Sequence, residues 1–71
     1  RPAEAIERWK RAVAINETDY QTLFNLGTTL NAAGRAAEAR PYFESYVRMA
    51  PMALESRDIA RVKAWLARHP G

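Results

Sequence analysis

The chain has no cysteine. That excludes disulfide staples and thiolate metal sites, and it leaves the redox compartment open. It has a single histidine, His69, in a tail of breakers, His69-Pro70-Gly71. No nucleophile is spaced to be activated by that histidine, and the carboxylates are dispersed among arginines, so nucleophilic and acid–base catalysis have no visible machinery. The three glycines form no phosphate-cradling loop, and no ligand spacing for a metal occurs. We therefore expect no catalytic residue, no metal and no cofactor, and read the chain as a non-enzyme. No apolar run approaches the roughly 20 residues that span a bilayer, so no membrane role is expected. No block of like charges occurs, and the net charge of +3 reads as a mixed, solvated surface. No secretion signal is visible. The chain begins at Arg1 rather than methionine, and we expect it to be part of a longer protein.

Strong helix formers are what the composition does supply. Alanine, leucine, arginine and glutamate dominate, whereas valine, isoleucine and threonine are few. An all-α fold follows, and a chain of 71 residues makes one small domain with a thin stability margin. Four helices are predicted. The first runs from about Pro2 to Ile15, with Ala5, Ile6, Trp9, Ala12 and Val13 at three- and four-residue spacing. Thr18-Asp19-Tyr20-Gln21 reads as a capping box for a second helix reaching about Ala33, with Leu23, Leu26 and Leu30 on one face and Phe24 beside them. Gly34 suits a left-handed helix stop. A third helix spans about Ala36 to Met49, striped by Ala39, Phe43, Tyr46 and Val47; Pro41 inside it is expected to bend rather than break it. Pro51 and a looser Met52-Ala53-Leu54 precede a fourth helix, about Glu55 to Arg68, striped by Ile59, Val62 and Leu66 with Trp65 at the edge. The short connections make consecutive helices antiparallel neighbours.

Shifted by 34 residues, the chain overlaps itself. Arg1-Pro2-Ala3-Glu4-Ala5 falls on Arg35-Ala36-Ala37-Glu38-Ala39, Trp9 on Phe43, and Val13 on Val47. Five of the first seventeen pairs are identical. Leu23, Leu26-Gly27, Leu30, Gly34, Ala39, Phe43 and Pro51 then occupy, across one unit, the offsets of the tetratricopeptide (TPR) repeat, which these residues resemble. Ala5, Trp9 and Ala12 match the second half of a preceding unit. Departures are Leu23 and Leu30 for aromatics, Tyr46 for a small residue, and Glu17 for a closing proline. The resemblance implies antiparallel helical hairpins of an α-solenoid. Residues 1–17 are then the second helix of a truncated repeat, 18–53 one complete repeat, and 54–71 a C-terminal capping helix and tail. That last helix fits after a two-residue slip, and Arg57, Arg61, Lys63 and Arg68 are expected to give it a charged outer face.

The resemblance also implies a function, that of a protein–protein interaction scaffold. The concave groove of such arrays takes a peptide or helix of a partner, and here its candidate lining is Gln21, Phe24, Thr28 and Asn31. The lysines and arginines with which some TPR proteins hold a chaperone's terminal carboxylate are missing from the matching offsets Gln21, Phe24 and Thr28. The first helix, lacking its pairing helix, is expected to leave Ile6, Trp9 and Val13 partly bare, a face for homodimerisation. Two other readings stand beside docking. One is an appendage or oligomerisation module of a larger enzyme. The other is a basic helical surface for nucleic acid, with Arg8, Lys10 and Arg11 in one cluster and Arg57, Arg61, Lys63 and Arg68 near Trp65 in another. Acidic neighbours three or four residues away, at Glu4–Arg8, Glu7–Arg11, Glu44–Arg48 and Asp58–Arg61, favour a solvated surface over a nucleic-acid site.

Overall fold

Helix-forming composition and three-to-four spacing of apolar residues produce four helices in the computed structural model, which describes residues 2–70. They are α1 (Pro2–Ile15), α2 (Tyr20–Ala32), α3 (Ala36–Met49) and α4 (Met52–Arg68). No strand occurs among the described residues. Arg1, paired with Arg35 in the repeat alignment, and Gly71, the last of the C-terminal breakers, lie outside them.

The ends of the helices follow local hydrogen-bonding chemistry, with two corrections to the sequence reading. Asp19, not Thr18, caps α2. Its carboxylate accepts the Thr22 backbone N–H at 3.2 Å and the Thr22 hydroxyl at 2.8 Å. Thr18 turns back, donating its N–H and hydroxyl to the Asn16 side chain. A carboxylate at this position both accepts the orphan N–H and complements the positive helix end, which a hydroxyl does only in part. The stop of α2 is as expected. Gly34 has φ +77°, the Arg35 N–H reaches the Leu30 carbonyl at 2.8 Å and the Gly34 N–H reaches Asn31 at 3.1 Å. That pair of bonds is the Schellman arrangement, and the left-handed residue it needs is glycine.

Pro41 lies inside α3 without ending it. The carbonyl it leaves unpaired belongs to exposed Ala37, where water can satisfy it. The second correction concerns α4, which starts at Met52 rather than Glu55. Met52-Ala53-Leu54 is already helical, and Glu55, at φ −120° and ψ 21°, marks a kink where a looser stretch was predicted.

Consecutive helices pack in pairs, α1 on α2, α2 on α3 and α3 on α4. The core draws Ile6 from α1, Leu23, Leu26 and Leu30 from α2, Ala39, Phe43 and Tyr46 from α3, and Ile59, Val62 and Trp65 from α4. Gly27 is buried against Phe43, so close that a methyl group at Gly27 would stand 2.5 Å from the ring. The fourth stripe differs from the predicted one. Trp65 is buried at 8% exposure and Leu66 is half-buried. The indole ring covers more apolar surface than leucine and has a partner for its N–H, so it takes the inner place. Among the described residues no helix is long and apolar enough to cross a membrane.

Candidate functional site

Residues seven apart lie on one face of a helix. On α2 this brings Phe24, Thr28 and Asn31 into line, and on α4 it does the same for Arg61, Ala64, Trp65 and Arg68. The two faces meet across a groove of about 430 Å³, with Phe43 and Val62 in its floor. That volume lies within the range of sites that hold small ligands or a few residues of a peptide.

Three of the four predicted groove residues thus come together. Gln21 is exposed and does not line the groove.

The floor is tied together by side chains. The Trp65 indole N–H donates to the Asn31 side-chain oxygen at 3.1 Å, joining α4 to α2. Phe43 meets Trp65 edge-on at 4.9 Å between centroids, and Phe24 tilts against Tyr46 at 5.1 Å. His69 stacks flat on Trp65 at 4.1 Å, and its Nδ1–H donates to the Trp65 carbonyl at 2.9 Å. The histidine is therefore held, not part of a loose tail. With His69 stacked on one face, Phe43 packed against the ring and Asn31 on its nitrogen, Trp65 is a buried structural ring.

Helix α3 positions α4 from both ends. The Arg40 guanidinium donates to the carbonyls of Leu66 and His69, at 3.2 and 2.6 Å, satisfying orphan acceptors at the negative helix end. At the kink, the Tyr46 hydroxyl donates to the Glu55 carboxylate at 3.1 Å. Burial first, and that carboxylate second, push the Tyr46 phenol well above its ordinary value.

The charges of the groove were misread from spacing. Arg61 and Arg68 line it instead of forming an outer face. The predicted Asp58–Arg61 and Glu44–Arg48 pairs do not form among the described residues. Glu44 pairs with Arg40 at 3.6 Å, and Arg48 donates to Ser45 at 3.2 Å. Arg35 and Glu38 form the other ion pair described. Neither Arg61 nor Arg68 has an ion-pair or hydrogen-bond partner among the described residues, and no carboxylate lines the groove.

The expected bare face on α1 is also smaller than predicted. Ile6 is 1% exposed and belongs to the core, because it packs against α2 within the chain. Trp9 and Val13 are half-buried against the core, Trp9 in a hollow with Glu4 and Arg8 and Val13 in one with Tyr42 and Met49. Exposed large apolar side chains occur instead at helix ends, Ile15 at 88%, Leu54 at 75%, and Met49 and Met52 less so. Among the described residues no three histidine or carboxylate side chains gather where a metal ion would bind.

Compared with known proteins, the chain matches no family model, no curated protein and no solved structure at a significant level.

Proposed function

We propose that the chain is a TPR-like helical repeat scaffold whose α2–α4 groove docks a segment of a partner protein. The observation that carries this is the groove itself. Two non-consecutive helices present one aligned face each, over an aromatic floor, with Arg61 and Arg68 unpaired among the described residues and Thr28 and Asn31 keeping further hydrogen-bonding capacity. Helices that pack only in consecutive pairs leave such a concavity between the first and third of any three, which is how solenoid arrays make binding surfaces. The test is a comparison of wild type with Thr28→Trp. The indole of that variant enters the groove from an exposed position and lies over its Phe43 and Val62 floor, replacing no buried side chain. A partner held by the wild type and lost by a variant that melts at the same temperature supports docking in the groove. A partner held equally by both contradicts it.

A second reading, self-association, draws on the exposed Ile15, Met52 and Leu54. Trp9 and Val13, which the sequence singled out, belong to this reading. Sedimentation that shows a concentration-dependent dimer, lost on Ile15→Lys with Leu54→Lys, supports it; a monomer at millimolar concentration contradicts it.

A further inference from the structure

We infer that the segment docked in the groove is extended and acidic, with two carboxylates about three residues apart that reach Arg61 and Arg68; this rests on the docking reading above and names its ligand chemistry.

The charge comes first. Arg61 and Arg68 stand two turns apart on α4, about 10.5 Å along the axis at 1.5 Å per residue. Both line the groove, and neither has an acidic partner among the described residues. The acidic neighbour at hand, Asp58, leaves Arg61 unpaired. A ligand that brings carboxylates to both guanidinium groups gains charge-assisted hydrogen bonds that are stronger than neutral ones. A ligand with cations there meets like charge.

The polar side chains of α2 in the groove decide the conformation. Thr28 donates its hydroxyl hydrogen to the Asn25 carbonyl at 3.0 Å, so its lone pairs remain as acceptors. Asn31 accepts the Trp65 indole N–H on its side-chain oxygen, which orients the amide and leaves its NH₂ group to donate. One acceptor and one donor, three residues apart on α2, match an N–H and a C=O of a peptide whose own backbone is unpaired. A helix satisfies its backbone internally and has no use for either. A segment in the polyproline II conformation has no internal hydrogen bonds and turns once every three residues at about 3.1 Å per residue, so side chains three residues apart share a face and span about 9 Å, close to the separation of the two arginines along α4. An apolar side chain between the acids lies over Phe24 and Ala64. The acids are side chains, so the segment needs no free terminus.

Fluorescence anisotropy with labelled eight-residue peptides tests this. One probe is Gly-Ser-Glu-Ala-Leu-Glu-Gly-Ser, and the second has glutamine in place of both glutamates. A single-stranded oligonucleotide of eight thymidines is the third. The expected result is that the glutamate peptide binds wild type about tenfold more tightly than the glutamine peptide, a difference of about 1.4 kcal/mol. Arg61→Gln and Arg68→Gln should each remove most of that preference, and Thr28→Trp should abolish binding of either peptide. Equal binding of the two peptides, blocked by Thr28→Trp, overturns the acidic specificity and leaves groove docking standing. Binding of the glutamate peptide that survives Thr28→Trp overturns groove docking itself. No binding by either peptide overturns the inference. So does an oligonucleotide that binds more tightly than the glutamate peptide and is lost in both arginine variants, which assigns the groove to nucleic acid.

Discussion

The two sides of α2 differ in what they leave unfinished. Toward α3, Leu23, Leu26, Gly27 and Leu30 meet Ala39, Phe43 and Tyr46 at full burial, and no side-chain polar atom is left without a partner in that core. Toward α4, Phe24, Thr28 and Asn31 meet an open groove whose arginines pair with no acid among the described residues. One helix thus carries a closed face and an open one, offset by a single position at Gly27 and Thr28. Surfaces complete within the chain hold the fold together. Polar and charged groups that the chain does not satisfy are where a ligand adds the most.

Substitutions across that boundary break the comparison in graded fashion. Phe43→Ala has the largest expected effect, because the ring fills the space over Gly27 and supports Trp65. Large aromatic deletions in a core cost about 3–5 kcal/mol, enough to unfold most of a domain this small, as circular dichroism at 25 °C will show. Gly27→Leu comes next, at about 1–3 kcal/mol of overpacking. Leaving glycine inside a helix returns no more than about 1 kcal/mol of propensity, so the net sign is destabilising. The melting temperature should fall by about 4–8 °C per kcal/mol.

Tyr46→Phe removes one part-buried hydrogen bond to Glu55 and should cost about 1 kcal/mol. It also changes the alkaline limb of stability. The folded state raises the Tyr46 phenol above its ordinary value, so the unfolded chain releases that proton first as the pH rises. The stabilisation is complete below about pH 10 and is lost above it. Thermal melts from pH 8 to 11 should therefore fall more steeply for wild type than for the phenylalanine variant. The smallest effect belongs to Thr28→Leu, on the open face. Its stability should stay within about 0.5 kcal/mol of wild type, since Thr28 is exposed. Equal destabilisation by Gly27→Leu and Thr28→Leu would erase the distinction between the two faces.

What could be read from the sequence follows the same division. Helices and core were legible because burial imposes a 3.6-residue period on apolar side chains, and Ile6, Leu23, Leu26, Leu30, Phe43, Ile59 and Val62 all obey it. Gly34 was legible because a left-handed helix stop calls for glycine. The cap on α2 was not, since Thr18 and Asp19 both suit it and the carboxylate wins only in three dimensions. Trp65 and Leu66 are adjacent apolar residues that fit the stripe equally. The larger apolar surface of the indole and Asn31, 34 residues away, decide between them. The α2 half of the groove followed from the repeat offsets, but Arg61 and Arg68 did not. Spacing placed Asp58 within reach of Arg61, and a charge with a nearby acid reads as solvated surface. The pair does not close in the structure, and spacing along α4 alone does not reveal that.

The most direct test of the open face is a map of amide and indole N–H shifts as the glutamate peptide is titrated into isotope-labelled protein. The expected shifts are confined to Phe24–Asn31 and Arg61–Arg68, with the Trp65 indole among the largest and α1 unmoved. Shifts centred on α1 or on the Pro41–Met49 side of α3, with the Trp65 indole silent, would contradict docking on the open face.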